Sequence, residues 1–191
     1  MTLERPVAAI LVALLAAATF ANILNAGARR LSAGATFDVD GSQFGSRPTA
    51  WLDVSGRRVP LKVAKGGSDT RVVVRLPSVP RGVSGACMLE IRPRGSKVAF
   101  GFSGMSIELP APAGTTPASG SAGTEVTIDG SYFGNRRGRV EFGSRAGRVL
   151  EWSDTEIRVV VPRHLAAGTV NLHVVNQAGS SAKPTGFEIL P

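Results

Sequence analysis

One block of this sequence is written twice. SAGATFDVDGSQFGSR at 32–47 returns as SAGTEVTIDGSYFGNR at 121–136, in register at an offset of 89, and SDTRVVVRLP at 68–77 returns as SDTEIRVVVP at 153–162, at an offset of 85. The first copy therefore holds four extra residues between the two blocks, around KVAKGG. GACMLEI at 85–91 aligns with GTVNLHV at 168–174, and the copies close on IELP (107–110) and EILP (188–191). Self-similarity at a fixed spacing means repeated units built on one plan. The boundaries that follow are a first unit at 22–110, a spacer at 111–116 and a second unit at 117–191, after a distinct N-terminal segment at 1–21. The segment PAPAGTT (110–116) is rich in Pro, Ala and Gly and too short to wander, so it is expected to act as a semi-rigid spacer.

Outside the N-terminus no stretch shows a 3.6-residue apolar period, and each unit reads as short strands punctuated by turns. The chain is all-β. In the second unit the expected strands are 124–129, 139–142, 148–152, 156–161, 169–176 and 186–190, with an edge strand before Pro117. Seven strands of this length suggest a sandwich. Alternation puts Val126 and Ile128 on one face and Thr127 and Asp129 on the other, with Val170, Leu172 and Val174 inward and Asn171 and His173 outward.

The N-terminus has the outline of an export signal. Glu4 and Arg5 precede an uncharged run from Pro6 to Leu24, which ends before Arg29 and Arg30. Small residues offer Thr19/Ala21 or Ala26/Ala28 as cleavage pairs. The alternative is an uncleaved anchor over residues 6–24, since 19 apolar residues approach the span of a bilayer. The protein is thus expected outside the cytoplasm, secreted, periplasmic or surface-bound, or tethered to the membrane.

The run PASGSAGTEVTIDGSYFG from Pro117 to Gly134, then VEFG, EWSDTEIRVVVP and GTVNLHVVN, resembles the IPT/TIG family of immunoglobulin-like domains. The first unit is more divergent. It has Gly67 where the second has Trp152, and Ala28-Arg29-Arg30-Leu31 in place of the opening P-x-S-G. In the same alignment Ile23 and Leu24 fall where the first edge strand belongs, which favours cleavage after Ala21 over cleavage after Ala28. The resemblance implies two tandem early-set immunoglobulin-like β-sandwiches in a binding or spacing role, with no catalytic residue set to carry over. Fold alone does not fix function.

The residues that bear chemistry are few. A single cysteine, Cys87, excludes an intrachain disulfide and a cysteine-based zinc site. It falls on the inward set with Leu89 and Ile91, so an inert buried thiol is expected. His164 and His173 are the two imidazoles, and neither stands at metal-ligand spacing. No G-x-S-x-G elbow is present. Asp40-Gly41 and Asp129-Gly130 supply one carboxylate each, too few for calcium, and are read as turns in which Gly takes positive φ. Phe44 and Phe133 are expected to plug the ends of the cores. Trp51 aligns with the core-type Val140, and Trp152 reads as a packing residue. Tyr132, opposite Gln43, is left as the candidate glycan-stacking ring. No catalytic residue, metal ligand or cofactor site is expected.

Charge is the uncommon feature. The chain holds 22 basic and 14 acidic side chains, and 18 of the basic ones are Arg. Residues 29–113 carry 13 basic and 6 acidic groups, net +7, against 8 and 7, net +1, over 114–191. Arg57, Arg58, Lys62, Lys65, Arg92, Arg94 and Lys97 are the densest positions and the candidate polyanion-binding set, which would attract acidic groups in a salt-sensitive way. The resulting expectation is a non-catalytic envelope or surface module, binding or structural, with a protein, anionic glycan or anionic lipid as partner. The alternative is a polyanion- or carbohydrate-binding accessory protein acting through the basic first unit. The export segment argues against nucleic acid.

Overall fold

Alternation of buried and exposed side chains runs through nearly every strand, and in the computed structural model, which describes residues 26–191, it closes two cores of hydrophobic side chains. The described residues form fifteen strands and no helix, so none is long and apolar enough to cross a membrane. The export or anchor segment and the edge strand expected at Ile23 and Leu24 lie outside the described residues.

The first domain contains β1 (Arg29–Leu31), β2 (Thr36–Asp40), β3 (Thr49–Val54), β4 (Arg57–Val63), β5 (Arg71–Arg75), β6 (Gly85–Arg92) and β7 (Phe100–Ile107). Their order is β1-β7-β6-β3-β4-β5-β2. Strand β4 pairs with β3 through Arg57–Leu61 and then with β5 through Lys62 and Val63, so it passes from one layer of the sandwich to the other. Phe37, Val39, Leu52, Val59, Val74 and Leu89 meet in the core, each at most 4% exposed. Cys87 lies there too, and burial pushes its thiol up to about 11.

The second domain contains β8 (Ala111–Thr116), β9 (Ser119–Gly120), β10 (Glu125–Ser131), β11 (Arg139–Phe142), β12 (Arg145–Trp152), β13 (Glu156–Val160), β14 (Gly168–Val175) and β15 (Thr185–Ile189). The order is β8-β10-β13-β12-β11-β14-β15-β9, with β12 changing layer as β4 does. The edge strand expected before Pro117 is β8, and it takes up the whole of residues 111–116, the stretch also read as a spacer; it is hydrogen-bonded to β10 from Ala111 to Thr116. Pro112 fits because β8 is at the sheet edge, where a missing N–H costs no ladder bond. Beyond the cis Thr116–Pro117 bond, β9 joins the other layer by pairing parallel with β15.

The two repeated motifs are hydrogen-bonded to each other in both domains. In the first, Gly41 N donates to Thr70 O (2.8 Å), Phe44 N to Asp69 O (3.0 Å) and Gly45 N to Asp69 Oδ1 (2.9 Å). In the second, Gly130 N donates to Thr155 O (2.9 Å), Phe133 N to Asp154 O (3.0 Å) and Gly134 N to Asp154 Oδ1 (2.8 Å). Ser68 and Ser153 close the same tight turn by accepting from the N–H groups two and three residues on. This clamp seats Phe44 and Phe133, 1% and 0% exposed, as end plugs of the cores. It also corrects the reading of Asp-Gly as a positive-φ turn. Gly130 sits at a register shift inside β10, where a Cβ would stand 2.4 Å from Ala111 O. Glycine is required there by the close approach of β8, as at many strand bulges.

The domains meet end to end through their loops. Ser32 Oγ donates to Asp154 Oδ1 (2.6 Å), Asn135 N to Ala33 O (2.8 Å) and Gly82 N to Gln177 O (3.0 Å). Ala178 of the second domain is buried in the first domain's core cluster. Gly34 lets Asn135 lie against the backbone, since a Cβ there would come within 2.5 Å of its side chain.

Candidate binding surface

Strand β3 sends Ala50, Leu52 and Val54 into the core, so Thr49, Trp51 and Asp53 face outward. Trp51 is nevertheless 7% exposed. The cover comes from neighbouring strands on the outer face. Across the ladder Trp51 stands opposite Pro60 of β4 and Glu90 of β6, while Arg58 stands opposite Asp53 and Arg92 opposite Thr49. The two arginines are therefore diagonal to the indole from opposite corners, a distance long side chains can span. Both reach it, with each guanidinium carbon 4.8 Å from the ring centroid. Two cation–π contacts on one ring fix two side chains that would otherwise sample many rotamers. The indole N–H is buried and finds no acceptor among the described residues.

Trp51 is thus not the core residue expected from its alignment with Val140. Its parity along β3 is opposite to that of the core residues, and a one-residue slip in a strand moves a side chain to the other face.

An open groove of about 630 Å³ lies over this cluster, lined by Pro48, Thr49, Trp51, Arg58, Pro60 and Arg92 among others. A second groove of about 640 Å³ adjoins it, with Arg47 and Lys65 on its walls, and the two share Pro48 and Val63. Of the candidate polyanion-binding set, the structure gathers Arg58 and Arg92 at Trp51 and places Lys65 in the adjoining groove. Arg57, Lys62, Arg94 and Lys97 line neither groove. Arg47 was not signalled as a site residue by the sequence, and Trp51, one of three aromatic residues considered for stacking on a sugar, was set aside as core-type. Arg58 approaches Glu90 at 4.0 Å, whereas Arg92, Arg47 and Lys65 take part in none of the ion pairs among the described residues.

Tyr132 is half-buried with φ of 61°, and its carbonyl accepts from Asn176 Nδ2 (3.1 Å). Trp152 packs on Phe133 at 6.2 Å between centroids, and its Nε1 donates to Gly134 O (2.8 Å). His173 Nδ1 lies 3.3 Å from Ser181 Oγ, and His164 is exposed in a turn. Among the described residues no three His, Cys, Asp or Glu side chains are placed to hold a metal ion.

Residues 110–189 match the IPT/TIG domain family, and the second domain is an IPT/TIG domain. Among curated proteins, the cyclomaltodextrin glucanotransferase of Geobacillus stearothermophilus is 41% identical over 75 residues, covering 39% of this chain and 10% of that enzyme. That of Paenibacillus macerans is 41% identical over 78 residues, covering 39% and 11%. The match spans about a tenth of the length of these relatives. Among solved structures, a surface glycan-binding protein from Prevotella bryantii is 17% identical, with 83% of this chain and 37% of that one covered and a TM-score of 0.40. A γ-cyclodextrin glucanotransferase from an alkalophilic Bacillus clarkii is 19% identical, with 81% and 22% covered and a TM-score of 0.41.

Proposed function

We propose that this chain is a non-catalytic carbohydrate-binding module, exported from the cytoplasm, whose ligand lies on the outer face of β4, β3 and β6. The observation that carries this reading is Trp51. Two guanidiniums are held over an outward-facing indole that is itself 7% exposed, so the open groove above presents fixed N–H donors on an apolar base, a combination that suits a sugar. The relatives that share the second domain are, by name, glucan-transferring enzymes, and the shared segment is a small part of them. That supports an accessory role in a carbohydrate setting. Export rests on the apolar run at 6–24, with cleavage after Ala21. A cut after Ala28 would remove Ala26, which is 3% exposed in the first core.

Affinity electrophoresis of the full chain through gels containing neutral and acidic polysaccharides tests the reading. At least one glycan is expected to retard the protein, and Trp51→Ala is expected to weaken that retardation about tenfold. Free migration in every gel, or equal retardation of the Trp51→Ala variant, overturns it.

A further inference from the structure

The reading above leaves open which carbohydrate is bound, and the charges along the grooves narrow it. Resting on that reading, we infer that the ligand is an acidic polysaccharide chain that runs through both grooves, its carboxylates held by Arg58 and Arg92 at one end and by Arg47 and Lys65 at the other.

The first support is geometric. The grooves share Pro48 and Val63, so they adjoin, and a chain leaving the Trp51 cluster passes over these two side chains into the second groove. From Arg58 to Val63 strand β4 alone rises about 17 Å, at roughly 3.3 Å per residue, which suits a polymer better than a single sugar.

The second is electrostatic. Arg92, Arg47 and Lys65 have no carboxylate partner among the described residues, and the Arg58–Glu90 contact at 4.0 Å is long for an ion pair with both ends partly solvated. A guanidinium resting over an indole keeps N–H donors free at its edge. That planar fork matches the two oxygens of a carboxylate.

The third separates sugars from nucleic acid. A single-stranded nucleic acid wants successive aromatic rings for its bases, and Trp51 is the one aromatic side chain lining these grooves. Asp53 and Glu90 stand on the same outer face beside it. Both can accept hydrogen bonds from sugar hydroxyls.

The test compares the full chain on polygalacturonate, on neutral amylose and on single-stranded DNA, at salt concentrations from about 50 to 200 mM. The expected result is polygalacturonate bound at least about tenfold more tightly than amylose, with affinity falling as salt rises. Arg58→Ser with Arg92→Ser should weaken both the polymer and a short galacturonate oligomer. Arg47→Ser with Lys65→Ser should weaken the polymer about tenfold and leave the short oligomer unchanged, because one groove then suffices. Thermal melting of each variant checks that the fold stays intact, which matters most for Arg92, half-buried over Trp51. Equal binding of amylose and polygalacturonate, with both double variants unaffected, overturns the inference while the carbohydrate-binding reading stands. DNA bound more tightly than polygalacturonate overturns it in favour of a nucleic acid partner. Loss of short and long ligands alike in the Arg47/Lys65 variant overturns the two-groove arrangement.

Discussion

The two domains share a frame and differ in what they display. In both, the loop before the plug phenylalanine is clamped to a Ser-Asp-Thr turn by matching hydrogen bonds, and in both one strand, β4 or β12, changes layer. The outer faces have diverged. On β3 the first domain shows Trp51 between two arginines, while on β11 the second shows Arg139 paired with Glu141 at 2.7 Å. The first domain carries a surplus of positive charge, and the second domain's charges largely cancel one another. A frame held by loop-to-loop bonds leaves outward strand positions free to change, which is where rigid β scaffolds carry function.

The plugs should break this comparison most strongly. Phe133→Ala and Phe44→Ala are each expected to cost about 3–5 kcal/mol. The loss should be larger in the second domain, because Trp152 rests on Phe133 and the first domain has Gly67 in the corresponding place. Urea unfolding of the two variants decides it, and equal losses would show that Trp152 adds nothing to the plug.

The clamp aspartates come next. Asp69→Ala removes the acceptor for Gly45 N and should cost about 1 kcal/mol, whereas Asp154→Ala strands both Gly134 N and Ser32 Oγ and should cost about 2–3. In a double-mutant cycle Ser32→Ala should lose its effect once Asp154 is Ala.

Cys87 sharpens the contrast through pH. Its thiol is raised to about 11 in the folded domain, above its ordinary value, so the folded state keeps a proton that the unfolded chain releases first. Its contribution is full below about pH 9 and falls as pH rises toward 11, by on the order of 2 kcal/mol. Cys87→Val, which copies Val170 at the aligned position of β14, should remove that slope from stability measured against pH. The smallest effect belongs to the second domain's outer face. Glu141→Gln breaks an exposed pair and should change stability by less than about 1 kcal/mol, with no change in glycan retardation.

Much of the frame was legible because it repeats. Alternation identified the core sides of β10 and β14, and the plug phenylalanines stand out as aromatic residues between Gly-bearing motifs. Trp51 was misread for a definite reason. The blocks align at offsets of 89 and 85, so the register between them is open, and an error of one residue reverses the face. An edge strand was legible before Pro117, but its extent over 111–116 was not, because Pro, Ala and Gly carry little strand propensity while β8 is made by backbone bonding to β10. Arg47 and Lys65 could not be joined to Arg58 and Arg92 from spacing, since the meeting of two grooves depends on how β4 and the loops beside it curve.

Asp154 Oδ1 has a double duty whose consequence reaches beyond the interface. The same oxygen holds the second domain's own loop through Gly134 N and receives Ser32 Oγ from the first. The docking partner of one domain is therefore an internal strut of the other, and neither can let go without disturbing both. Heat should find a single cooperative transition in which the pair melts as one body.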